Sequence, residues 1–392
     1  MTAADPDLLP YEMGLEPGLE PGFDVPALPG ASEDEIETPA LVVDLDAMEA
    51  NLRAMAERNA AAGVKLRAHA KSHRSPELAL EQIRIGGAIG VCCQKIAEAE
   101  AMVRGGVRDV FVTNEIVDPR KMARAARLAR QARVIVMCDD ARVLADWSAA
   151  AISHDVTLEM AVEIDCGTHL CGVDPGEPAA ELAARVAATP GLRFAGLQAY
   201  HGAAQHIRDA EERRAAIEAA ADAVRLTLTA LEARGLPCPM VGGAGTGSWE
   251  FEAASGVWTE MQCGSYLFMD ADYQRVAAAE GQGLGAFANS LFLMATVISK
   301  RPGRAVCDAG LKVTSLESGP PRIEGVPGAR VIGCSDEHGR IEDPEDRLDV
   351  GDRVRLIPGH CDPTVNLHAW IVGLRRGRVE RLIRVAARGR SL

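Results

Sequence analysis

Apolar positions along this chain occur in two alternating textures. Short runs rich in Val, Ile and Leu lie at 41–45, 65–71, 88–93, 109–114, 133–139, 157–165, 193–200 and 239–245. Between most of them are Ala/Arg/Glu-rich stretches whose apolar residues recur at helical spacing, such as AMEANLRAMAERNAAAG and IRDAEERRAAIEAAADAVRLTLTALEARG. Eight strands alternating with helices predict a closed (β/α)8 barrel, with a doubly wound open sheet as the alternative. Past about residue 284 the helical spacing stops. The runs SLFLMATVIS, RAVCDAG, ARVIGCSD, DRVRLIPG, AWIVGL and RLIRVAA, separated by turn residues, predict a second, all-β domain. The fold class is therefore α/β: a TIM-like barrel over 38–283, then a C-terminal β-domain over 284–392. Residues 1–37 are rich in Pro, Gly and acid, with the near-repeat GLEPGLEPG, and predict an irregular arm packed on the β-domain.

Composition narrows the partners. The 392 residues carry a net charge of −14, which leaves no basic surplus for a nucleic-acid backbone. The start, MTAADPDLLPYEMG, is acidic and has no apolar core of a signal peptide, and no apolar run reaches the length of a membrane span. Ten cysteines without a CxxC pair suggest reduced thiols rather than a disulfide scaffold. A cytoplasmic protein with a small-molecule substrate, and neither nucleic-acid nor membrane partner, is expected.

In such barrels chemistry collects where strands end. Lys71 closes the run VKLRAHAK and precedes Ser72-His73-Arg74-Ser75-Pro76. An amine with His69 and His73 beside it can be held partly neutral by cationic neighbours, as a nucleophilic lysine requires; the alternative is a solvated charge. Other strand ends supply Cys93-Gln94, Asn114, Asp165 and Tyr200-His201, and the last gives the cluster GGAGTGS at 242–248. Glycine-rich turns let backbone N–H groups approach a phosphate closely, although many are simply tight loops. Gly264-Ser265 offers a second such turn. A lysine, a ring and glycine turns on one rim suggest pyridoxal phosphate. In the β-domain, Pro358-Gly359-His360-Cys361-Asp362 would, if extended, place His360 and Asp362 on one side with Cys361 pointing away. Imidazole with carboxylate suits Mn²⁺, Mg²⁺ or Co²⁺ better than zinc; the alternative is a turn with a hydrogen-bonded histidine.

The phrases TPALVVDLDAMEANL, RAHAKSHRS, GVCCQKIAEAEA, VEIDCG, GLQAYHGAAQH, GGAGTGS, MQCGSYLFMDADY, CSDEHG and PGHCDPTVNLHAW run in one order along almost the whole chain. Together they resemble the D-threonine aldolase and D-serine dehydratase family of fold-type III pyridoxal phosphate enzymes, related to alanine racemase, and come nearest to its 3-hydroxy-D-aspartate aldolases. The resemblance implies that Lys71 forms the Schiff base and Tyr200 faces the cofactor ring. It assigns Gln94 to the cofactor pocket, and Gly245, Thr246, Gly247, Gly264 and Ser265 to the phosphate. His360 and Asp362 are implied as ligands of Mg²⁺ or Mn²⁺, and the assembly as a homodimer.

The implied activity is aldol cleavage of D-3-hydroxy-amino acids: 3-hydroxy-D-aspartate to glycine and glyoxylate, with D-threonine to glycine and acetaldehyde as a second substrate. His73 is the expected base at the β-hydroxyl. A metal-dependent dehydratase and a non-catalytic pyridoxal phosphate-binding protein are the alternatives. Against racemisation, the β-domain has no tyrosine, and Gln262 stands where racemases of the family carry an arginine. Dehydratases of the family resemble a His-x-Cys pattern at the metal, where this chain has His360-x-Asp362. One departure stands out: Leu170 occupies the arginine position of the family phrase Asp-x-Gly-x-x-Arg-x-Gly.

Overall fold

The computed structural model describes residues 18–276 and 287–392. The first 17 residues of the expected arm, and the expected boundary at 283/284, lie outside the described residues.

Two sheets organise the chain. Eight parallel strands close a barrel: β2 (Lys65–His69), β3 (Gly90–Cys93), β4 (Asp109–Glu115), β5 (Arg133–Cys138), β6 (Leu158–Glu163), β7 (Leu192–Ala199), β8 (Val241–Gly243) and β9 (Glu260–Met261). Their alternation sorts side chains cleanly. Phe111, between Val110 and Val112, joins Cys92, Ile135, Met137, Ala161, Ala195 and Met240 in one buried cluster, while Val110 and Val112 belong to the large cluster shared with the helices. Near the strand starts, where β9 meets β2, apolar packing gives way to charge. Arg67, wholly buried, reaches Glu260 at 2.7 Å and Asp109 at 2.5 Å. Gly90 makes this possible, because a Cβ there would lie 2.6 Å from the guanidinium.

The run at 41–45 departs from the expected barrel. It forms β1 (Ala40–Asp44), which lies in the other sheet, antiparallel to β10 (Leu291–Arg301) and parallel to β16 (Trp370–Arg375). Leu41, Val42 and Val43 are inaccessible on both faces, and a run buried on both faces gives no periodicity that would separate barrel from sheet. The eighth barrel position is filled by β9, only two residues long.

The second sheet also contains β11 (Arg304–Cys307), β12 (Arg322–Ile323), β13 (Arg330–Cys334), β14 (Gly339–Glu342), β15 (Arg353–Ile357) and β17 (Arg378–Arg384). Its order is β13-β14-β11-β10-β1-β16-β17, with β15 pairing β10 and β12. Residues 18–39 lie on this sheet: Gly30 N–H donates to Val379, Arg355 pairs with Glu33, and Val25, Ala27 and Ile36 are buried with Val42 and Phe292. All ten cysteines are free, and no helix among the described residues is long and apolar enough to cross a membrane.

Candidate active site

Lys71 follows β2 directly, on the one-turn 3-10 helix Ala70–Ser72, which places it on the rim where barrel strands end. A cavity at this rim is lined by Lys71, His69, Gln94, Tyr200, Gly245, Thr246, Gly264 and Ser265, and also by Glu163, Gln198, Gln262 and Tyr273. Residues from β2 to the turn after β9 thus converge on one hollow.

The electrostatics of Lys71 differ from the sequence expectation. Its Nζ lies 3.3 Å from Oδ2 of Asp362, whose charge pushes the lysine pKa up despite burial. The free amine is therefore an ammonium, and the two histidines beside it are not cations. Burial, reinforced by Lys71, holds His69 down at about 3, and burial holds His73 down at about 4.

Asp362 comes from the C-terminal half of the chain. His360 is the N-cap of the short helix Cys361–Val365, so the expected extended segment is instead a helix start. His360 and Asp362 still meet, with Nε2 and Oδ2 3.8 Å apart. Nδ1 of His360 lies 2.8 Å from Oδ2 of Asp270, an oxygen that also accepts the Cys361 N–H. A carboxylate holding Nδ1 leaves Nε2 as the ligand atom, the arrangement that orients metal-binding imidazoles. Burial opposes the charge on His360, yet Asp270 and Asp362 push it up to about 9. Burial likewise opposes the charge on Asp362, and Lys71 and His360 bring it down to about 2. Burial pushes the Cys361 thiol well up, so it is not a thiolate. Imidazole and carboxylate without thiolate fit a hard or borderline divalent cation.

The glycine turns fit a phosphate. Among the described residues nothing accepts the backbone N–H of Gly245, Thr246, Gly264 or Ser265. A Cβ on Gly264 would lie 2.8 Å from the His69 carbonyl, so only glycine brings this turn so close to β2. Ala244, beside them, is held at φ +65°, a strained geometry for a residue with a side chain. The floor is neutral: Gln198 and Gln262 exchange two amide hydrogen bonds of 2.8 Å. Gln94 contacts Nε2 of His69 at 3.0 Å and Thr113 at 3.3 Å. Lysine, aromatic ring and open N–H cradle together fit pyridoxal phosphate.

Two expected site residues stand elsewhere. The Gly247 N–H is already taken by Oε1 of Gln205 at 3.0 Å, so it is not free for a phosphate. His73 is fully buried and outside the cavity lining. Its Nδ1 accepts the Ser75 N–H, and its Nε2 lies 3.0 Å from Oε1 of Gln82. Both nitrogens are thus engaged inside the fold, away from the cavity lining. Leu170 is 84% exposed, so the position where the family has arginine is at the surface here.

The sequence reading missed other residues. Asp270 and Asp272 stood in the phrase MDADY without a role. Asp272 holds Nδ1 of His206 at 2.8 Å and pairs with Arg208 at 2.6 Å. The His206 ring stacks on Tyr273 at 6.2 Å, and Tyr273 lies 6.3 Å from the His360 ring. Their spacing gave no signal that the two carboxylates serve different histidines, because Asp270 is the N-cap of the short helix Ala271–Gln274 and Asp272 lies within it. Glu163 was missed because a lone acid at a strand end carries no pattern. Burial and the hydrogen bond that its protonated carboxyl donates to Glu115 push it up to about 9, so a neutral carboxyl lines the cavity.

With this geometry in view, the chain can be placed among known proteins. A family model described as alanine racemase, N-terminal domain, matches residues 43–272, and one described as a putative serine dehydratase domain matches residues 290–374. The chain is 49% identical to a 3-hydroxy-D-aspartate aldolase of Paracoccus denitrificans (strain Pd 1222), covering 95% of this chain and 98% of that protein. It is 46% identical to a D-threonine aldolase of Arthrobacter sp., covering 93% and 96%. The crystal structure of D-threonine aldolase from Filomicrobium marinum superposes with a TM-score of 0.92 at 45% identity, covering 94% of this chain and all of that one.

Proposed function

The chain belongs to the alanine racemase-like family whose second domain is of the serine dehydratase type, and from that premise we propose that it is an aldolase acting on D-3-hydroxy-amino acids with pyridoxal phosphate and a divalent metal. The observation that carries the reading is one contact. Lys71 Nζ is 3.3 Å from Asp362, and Asp362 is 3.8 Å from the free Nε2 of His360. The amine that would hold the cofactor and the pair that would hold the metal therefore lie side by side, with Lys71 on the cavity wall.

When bound, pyridoxal phosphate would supply an electron sink for the carbanion left at Cα, and Mg²⁺ or Mn²⁺ a Lewis acid at the β-hydroxyl. The chain's own residues do the rest. Lys71 would hold the aldehyde carbon, and the N–H groups of Gly245, Thr246, Gly264 and Ser265 the phosphate. Tyr200 and Gln94 would bound the ring, and His360 and Asp362 would ligate the ion, with Asp270 keeping Nε2 turned toward it. His206, whose ring stacks on the cavity residue Tyr273, would take the role expected of His73: Asp272 holds its Nδ1, which would leave Nε2 to accept the hydroxyl proton. The paired amides of Gln198 and Gln262 put no cation at the cavity floor, which favours cleavage over racemisation.

The relatives support 3-hydroxy-D-aspartate as substrate, cleaved to glycine and glyoxylate, with D-threonine as a second. A homodimer in the cytoplasm is part of the same proposal. No observation favours the dehydratase or the non-catalytic alternative: Asp362, not a thiolate, faces His360. Product analysis tests the reading. Purified protein loaded with pyridoxal phosphate is given each D-3-hydroxy-amino acid with Mn²⁺ or with EDTA. Glycine plus aldehyde, lost with EDTA, supports the aldolase; ammonia plus a 2-oxo acid would replace it with a dehydratase.

A further inference from the structure

We propose that Gln205 is a positioning residue for the phosphate cradle, its side-chain amide tying the loop after β7 to the glycine-rich loop after β8. The inference rests on the pyridoxal phosphate reading above and names what shapes the cradle.

Gln205 lies on the one-turn helix Ala203–His206 and is completely buried. Its Nε2 donates to Ser248 Oγ at 2.6 Å, and its Oε1 accepts the Gly247 N–H at 3.0 Å. The amide has one orientation only. The Gly247 N–H can only donate, so the Gln205 atom 3.0 Å from it must be the carbonyl oxygen. The NH2 group of Gln205 must therefore face Ser248, and its carbonyl must face Gly247.

The glycines answer to the same side chain. A Cβ on Gly245 would collide with Oε1 of Gln205, and one on Gly247 would lie 2.6 Å from its backbone carbonyl. Glycine at 245 and 247 thus makes room for Gln205 as well as for a ligand. By occupying the Gly247 N–H, Gln205 anchors the far end of the turn, and the N–H groups of Gly245 and Thr246 are left to face the cavity. A buried amide with every polar atom engaged holds a loop in one conformation.

The test compares pyridoxal phosphate with pyridoxal, which lacks only the phosphate. Equilibrium affinities of both are measured on wild type and on Gln205→Met by the absorbance of the lysine-bound aldehyde, with folding checked by circular dichroism. Losing the tie is expected to weaken pyridoxal phosphate by about tenfold, the worth of one or two hydrogen bonds, and to leave pyridoxal unchanged. Ser248→Ala cuts the same tie from the other loop and should show the same phosphate-selective loss, which covers the case of a Gln205→Met protein that does not fold. Equal weakening of both aldehydes, or none, would overturn the inference alone. A wild type that binds neither would overturn the function reading with it.

Discussion

What a histidine can do depends on what its two nitrogens already hold. His73 holds the Ser75 N–H and Gln82, whereas His206 holds only Asp272 and keeps Nε2. His206→Ala is therefore expected to lower the cleavage rate at saturating substrate and metal by about 10²–10⁴-fold, the usual worth of a general base. His73→Ala should cost stability and leave the rate per folded protein unchanged. Rates of the two variants measured side by side decide it; the reverse pattern would return the role to His73. The two were close to indistinguishable in the sequence, since spacing near Lys71 favours His73 and the carboxylate that selects His206 lies 66 positions away in the chain.

Individual elements carry their own costs. Arg67 closes the barrel seam between β2 and β9, and its removal would leave Glu260 buried without its cation. Arg67→Ala is expected to destabilise the protein by about 3–5 kcal/mol, read from urea denaturation. Glu252, on the helix Trp249–Ser255, has its carboxyl raised by burial to about 7 from an ordinary 4.5. A group raised in this way supports the fold fully below about pH 4.5 and loses that contribution as pH climbs through about 7. Glu252→Gln does not ionise, so its melting temperature should rise relative to wild type between pH 4.5 and pH 8; a constant difference would contradict the assignment. The long alternating strands were readable in the chain because their period is unmistakable. The two-residue β9 was not, and neither was the sheet to which β1 belongs, because short or doubly buried segments carry no period.

At the scale of the molecule, the halves are joined by β1, which precedes the barrel in sequence but lies between β10 and β16 of the second sheet. A fragment of 38–283 would leave Leu41, Val42 and Val43 without their partners. Such a fragment is expected to aggregate on expression, whereas a stable monomeric barrel would show that the halves are independent. The same union makes the site, since Lys71 comes from the barrel and Asp362 from the second half. The rim residues were foreseeable from strand ends and phrases. The helical start at His360, the shared Asp362 and the carboxylates behind the histidines came only from tertiary packing. The most direct measurement is glyoxylate release from 3-hydroxy-D-aspartate by Asp362→Asn protein loaded with pyridoxal phosphate, with and without Mn²⁺. The account predicts that the variant keeps the visible absorbance of lysine-bound cofactor while its cleavage falls to the level of wild type in EDTA. Cleavage at the wild-type rate, still stimulated by Mn²⁺, would contradict it.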